Sequence, residues 1–345
     1  MRDRGNPGWG IHDQIGDNHV NRPSSSSSPA LGPKAKTQSA TPPGGARDLL
    51  RRQGLPAEDS TDLPDSPLTF PDGGNYRIEV SGVERLSTLE ALVDEAAKRE
   101  IHIHRAVSFV AGSTLLDSQE LRAFASLAAE RDIEVIACPG PRAAWDRGRQ
   151  AVTPEGKATG GRVRGSDNLR LLIEDYLRML DCGLRGILVW DEGVLDILAK
   201  AREAGDIPPE TVMKVSVFTG HGNPASLRLV ESLGANSINP VGDLSRAMLA
   251  AIRSVLTIPL DVYASVYDSF GGMNRFWETG ELARVASPCY FKIEPGATEK
   301  GVYTAWADPD WIDARVRDRV RHAAIMHELA AVTTPSVRPS PRPGG

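Results

Sequence analysis

Cysteine is scarce in this 345-residue chain, with only Cys138, Cys182 and Cys289. An odd, scattered set does not build a disulfide framework, so a reducing cytoplasm is the expectation. Three thiols also fall short of the four that usually hold an iron–sulfur cluster, so no such cluster is expected. No run approaches the roughly 18 apolar residues of a membrane span. The opening MRDRGNPGWGIHDQIGDNHV lacks the apolar core of a signal peptide. A basic excess is missing too: 40 Lys and Arg face 45 Asp and Glu, a net charge of −5. Nucleic acid is therefore not an expected partner, and neither is a membrane. Short catalytic signatures are also missing. There is no G-x-S-x-G, no H-E-x-x-H, and no G-x-G-x-x-G after the first strand. This removes the independent grounds for a serine hydrolase, a zinc protease or a dinucleotide-binding sheet.

The two ends have few aliphatic residues. Residues 1–65 contain SSSSS at 24–28 and the segment ATPPGGA, and residues 333–345 end in PSVRPSPRPGG. Such segments bury too little apolar surface to offset their ordering entropy, and both read as disordered tails.

Residues 70–332 alternate β-rich runs with amphipathic stretches. The runs are YRIEVSG, IHIHRAVSFVAG, IEVIACPGP, RGILVWDEG, MKVSVFTGHG, NSINPVGD, IPLDVYASVYD and PCYFKIEPG. A stretch of helical periodicity follows each, beginning with STLEALVDEAAKRE, where Ser87 and Glu90 have the spacing of a capping box. Eight such repeats in about 255 residues predict an α/β fold, a (β/α)₈ TIM barrel.

Barrel strands bury their outward face on helices, so polar strand residues point inward. That rule turns Glu79, His102, His104, Lys214, Asp261, Tyr263, Lys292 and Glu294 inward. Lys214, His102 and Asp261 come early in their strands and read as buried, paired charges of the floor. The candidates near the carboxyl ends, where barrel chemistry sits, are Glu79, His104, Asp191, Glu192, His221, Asn239, Lys292 and Glu294. Each has a bland alternative. Asp191 or Glu192 caps the next helix. His104 is satisfied by Glu79. His221 belongs to a plain Gly-rich turn, TGHGNP. Asn239 fixes a Pro turn, and Lys292 pairs internally with Glu294. Cys138 in CPGP has no base beside it in sequence and reads as a small buried thiol. The basic third loop, with Arg142 and Arg162, suits an anionic or carboxylate-bearing substrate, and the seventh loop, with Arg275, suits a lid or a substrate-recognition loop.

Several ordered blocks resemble one known family. They are PRAAWDRGRQAVTPEGKATGGRVRGSDNL, GILVWDEGVL, the long run from MKVSVFTGHGNP to LTIPLDVY, and FGGMNRFWETGELARVASPCYFKIEPG. Together, across roughly residues 70–330, they look like the collagenase-like peptidases of family U-32. The resemblance implies a TIM barrel and a peptidase or hydrolase activity. Other branches of that family carry a four-cysteine iron–sulfur site. The three scattered cysteines here depart from that pattern, and the cluster is not carried over.

The expectation is thus a hydrolase acting on a small peptide or amide-like metabolite. Glu79 and His104 form its acid/base pair. Asp191 or Glu192 with His221 holds a divalent metal ion or orients water. Asn239, Lys292, Glu294, Arg142 and Arg275 contact substrate. Two rivals stand beside it: a lyase or aldolase forming a Schiff base at Lys292, and a non-catalytic barrel that binds a partner. The sequence leaves the oligomeric state open.

Overall fold

The computed structural model describes residues 45–59, 62–110, 112–140, 162–266, 272–294 and 308–342. Eight parallel strands close into a barrel. They are β1 (Tyr76–Val83), β2 (Arg105–Ser108), β3 (Glu134–Ala137), β4 (Gly186–Val189), β5 (Val212–Val215), β6 (Ser237–Ile238), β7 (Leu260–Val266) and β9 (Cys289–Ile293). The ring closes where β9 pairs with β1 on one side and β7 on the other. The short β8 (Met273–Asn274) folds back antiparallel on β7. This is the predicted (β/α)₈ barrel.

A helix α1 (Gly45–Arg52) precedes the barrel. The helices on its outside are α2 (Leu86–Lys98), α3 (Ser118–Glu130), α4 (Gly165–Asp181), α5 (Glu192–Ala204), α6 (Pro224–Ser232), α7 (Arg246–Arg253), α8 (Thr279–Ala286) and α9 (Pro309–Thr333). Among the described residues no helix is long and apolar enough to cross a membrane. The outward strand residues, such as Ile78, Val80, Ile187, Val189, Met213 and Val215, make one continuous core with the helices. At Gly186 a Cβ would come within 2.2 Å of the Val135 carbonyl, so only glycine allows β3 and β4 to approach so closely.

Local signals fared unevenly. Asp117 caps α3, accepting from the Gln119 and Glu120 amides, and Glu120 returns a bond to the Asp117 amide. The capping box expected at Ser87 does not form. Helix α2 starts at Leu86, with Arg85 in the N-cap position two residues ahead of Ser87, and the Ser87 hydroxyl turns to Asp313 of α9.

Ordered structure extends into both segments read as tails. Residues 45–52 are helical, Leu55 and Phe70 are buried, and Arg284 bonds both the Leu63 carbonyl and Asp65. At the other end, Val337 and Ser340 are buried against the floor of the barrel. The Arg338 carbonyl accepts from the Asn75 amide and the Ser340 amide donates to the Tyr76 carbonyl, both at 2.8 Å. Pro339 lies beside Tyr76 in a parallel bridge. A Pro- and Arg-rich run reads as solvated by composition, yet an edge pairing asks little of its side chains.

Candidate active site

The barrel interior is divided. Beyond Arg105 on β2, and along β3 to Cys138 and β4, it is apolar, filled by Val107, Ile136, Cys138 and Leu188. Arg105 at the start of β2, with residues of β1, β5, β7 and β9, makes the rest charged. Lys214 reaches Glu79 at 2.6 Å and Asp261 at 2.9 Å. Arg105 reaches Asp261 at 3.0 Å and Glu79 at 3.5 Å, bonds Glu134, and lies 3.5 Å from the centre of the Tyr290 ring. Glu79, Lys214 and Asp261 are fully buried. Burial alone pushes the Glu79 carboxyl up, but Lys214, Lys292 and Arg105 outweigh it and hold the group below its ordinary range. Lys214 and Asp261 are thus paired in the interior, and Glu79 belongs with them.

The expected Glu79–His104 pair is not formed. His104 lies ahead of β2, where its Nδ1 accepts from the Ile78 amide at 3.1 Å. Its Nε2 therefore donates to the Ser340 carbonyl, also at 3.1 Å. Burial, then the neighbouring His102, pushes its pKa down to about 3. His104 is a neutral residue of the floor, at the end opposite the mouth. The Ile-His-Ile-His alternation breaks off before the strand begins. Within β2 it is Arg105, opposite Glu79 in register, that points inward. A cation in the run RAVSFV needs buried acids nearby. That requirement was the one sequence signal for Arg105, and Glu79 and Asp261 meet it.

At the carboxyl ends two groups form. The first joins the ends of β4 and β5. Asp191 is the N-cap of α5, accepting from Gly193 at 3.0 Å and Val194 at 3.4 Å, and also from Val163 at 3.4 Å. Glu192 is left free of capping. Its Oε1 meets His221 Nε2 at 2.8 Å, and both its oxygens engage the Arg162 guanidinium. Burial raises the Glu192 pKa, but Arg162, then its own backbone amide and then His221 bring it below its usual value, so it is a carboxylate. A carboxylate only accepts, so His221 Nε2 carries a proton, and in the uncharged form of the ring the lone pair is on Nδ1. Gly220, at φ 75°, turns the chain before His221. The His221 carbonyl accepts from Val241 at 2.9 Å, which ties the loops after β5 and β6 together. Asn223 caps α6.

The second group lies on β6, β7 and β9. Lys292 Nζ is 2.7 Å from Glu294, 3.3 Å from Asn239 Oδ1 and 4.0 Å from Glu79. Burial lowers the Lys292 pKa, but Glu294, Tyr263 and Glu79 reverse this and raise it well above the ordinary amine value. Asn239 Nδ2 donates to the carbonyls of Asp261 at 2.8 Å and Pro240 at 3.2 Å, which turns Oδ1 toward Lys292. On β7 the register slips between Tyr263 and Ser265, so Val266 packs with Tyr263 and Val217 at the upper end.

Arg275 is taken up structurally, donating to the Leu244 carbonyl at 3.0 Å and pairing with Glu278 at 3.2 Å. Arg142 lies outside the described residues. Arg162, read as a substrate-binding arginine of the third loop, serves Glu192 instead. Among the described residues no group of three or more His, Cys, Asp or Glu is arranged to hold a metal ion. Glu192 and His221 supply two donors, while the Asp191 carboxylate is spent on backbone amides.

No family model matches the chain, and no curated protein does. Similar solved structures include the YdjI aldolase from Escherichia coli K12, at 16% identity and TM-score 0.44, covering 74% of this chain and 91% of that one. The U32 peptidase Mk0906 matches at 17% identity and TM-score 0.36, covering 61% of this chain and 76% of that one. D-psicose 3-epimerase with D-tagatose from Clostridium cellulolyticum H10 matches at 11% identity and TM-score 0.41, covering 72% and 98%. Toward family U-32, what is supported is a shared kind of barrel.

Proposed function

We propose that the protein is a hydrolase of small peptide or amide-like compounds, working at the carboxyl end of the barrel. The hydrogen bond from His221 to Glu192 carries this reading. Glu192 fixes the imidazole tautomer and stabilises the imidazolium that forms during reaction, and Arg162 holds Glu192 in place. His221 Nδ1 takes a proton from water as the oxygen adds to the amide carbon. The imidazolium then returns that proton to the departing nitrogen as the carbon–nitrogen bond breaks. Asn239, Lys292 and Glu294 bind the substrate.

The Schiff-base alternative asks Lys292 for a free amine. Glu294 and Glu79 keep it as an ammonium, which favours hydrolysis. A panel of dipeptides and amino-acid amides tests the proposal. His221→Ala and Glu192→Gln should each lower kcat by about 10²–10⁴-fold, and borohydride with carbonyl compounds should leave Lys292 unmodified. Unchanged turnover in both variants, or no turnover of any panel member by the native chain, would sink the proposal.

A further inference from the structure

The interior charges pair off in an informative way. Glu79 and Asp261 are met by Lys214 and Arg105. Lys292 and Glu294 form a further pair at the end of β9, two residues apart and on the same inward face, with Glu79 4.0 Å from the Lys292 amine. Their side chains are 8% and 15% exposed, with Glu294 at the more open end. Beside them stands an apolar wall. Val217, Tyr263 and Val266 pack together with Met273, and the Tyr263 ring centre is 5.0 Å from Lys292 Nζ.

We propose that the Lys292–Glu294 pair opens to hold the zwitterionic head of a free α-amino acid with an apolar side chain. Lys292 takes the carboxylate. Glu294 accepts from the ammonium, as does Asn239 Oδ1, which is already turned this way by the two carbonyls on its Nδ2. The side chain lies on Val217, Tyr263 and Val266. Charge balance selects this class. A zwitterion exchanges one ion pair for two and leaves no charge alone. A simple anion strands Glu294, and a simple cation leaves Lys292 only the more distant Glu79 at 4.0 Å, and a poorly paired charge at a buried position is strongly disfavoured. The proposal goes beyond the hydrolase reading, because binding of the amino acid needs no hydrolysis.

Calorimetry on the full chain with L-leucine, N-acetyl-leucine, leucinamide and glycine tests it. Leucine should bind, and the two capped forms and glycine should each be weaker by about tenfold or more. Glu294→Gln should close the gap between leucine and N-acetyl-leucine while leucinamide stays weak. Lys292→Met should do the reverse, and if that variant fails to fold, Glu294→Gln and the capped ligands carry the test. Equal binding of free and capped forms, or no leucine binding at millimolar concentration, overturns the proposal. Turnover of amides by a protein that ignores leucine would overturn it and leave the Glu192–His221 reading standing. Leucine binding without turnover would do the opposite.

Discussion

Single residues carry opposite weight in the floor and at the mouth. Lys214 touches no solvent and answers two buried carboxylates. Lys214→Met should cost about 3–5 kcal/mol, since it leaves Glu79 and Asp261 with Arg105 and only a 4.0 Å contact from Lys292 to Glu79. Urea unfolding measures this, and a loss below about 1 kcal/mol would mean that Arg105 and Lys292 suffice to balance the acids. His104 gives a pH signature. Its pKa falls from 6.5 to about 3 in the folded chain, so the folded state binds fewer protons than the unfolded one. Its contribution is complete above pH 6.5 and drains away as pH falls toward 3, by up to about 1.4 kcal/mol per unit. Stability should therefore drop between pH 7 and 4.5 in the native chain, and drop less in His104→Gln, which can keep both hydrogen bonds. Parallel curves for the two proteins would remove His104 as the cause. Of the residues singled out from sequence, Glu192, His221, Asn239, Lys292 and Glu294 meet in two groups near the mouth. Alternation within β9 made its two legible. It failed for His104, because the strand starts later than the pattern suggests.

Among the elements, helix starts separate a cap from its imitation. Asp117→Ala removes the side-chain half of a capping box, the bonds accepted from the Gln119 and Glu120 amides, and should cost about 0.5–2 kcal/mol. Ser87→Ala should change stability by less than about 0.5 kcal/mol, because that hydroxyl caps nothing and makes only a 3.4 Å contact with Asp313. Chemical denaturation of the two variants side by side decides the matter, and equal losses would contradict the assignment. The two sites look alike in sequence. What differs is α9, which draws Ser87 and Thr88 toward Asp313. Asp191 and Glu192 show the same dependence. Either could have capped α5, and the side chain that did so left the other to His221 and Arg162.

In the whole molecule, the carboxyl-terminal segment closes the floor. Deleting residues 335–345 removes backbone bonds at Asn75 and Tyr76, uncovers His104 and exposes the site of Val337. A loss of about 2–4 kcal/mol is expected, from a few hydrogen bonds near 1 kcal/mol each and one apolar side chain. A truncated chain with an unchanged denaturation midpoint would return this segment to the solvated tail its composition suggests. Composition and periodicity by themselves determined the barrel. Eight apolar runs, each with a helix able to cover its outer face, have few other ways to bury that surface. The inward pointing of Glu79, Lys214, Asp261, Lys292 and Glu294 followed from the two-residue period. Only the tertiary structure decided which charges meet. Depth in a barrel depends on register and tilt between strands far apart in sequence, and a shift of one residue exchanges inside for outside. For that reason Arg105 entered the interior, His104 left it for the floor, and Arg162 came to Glu192.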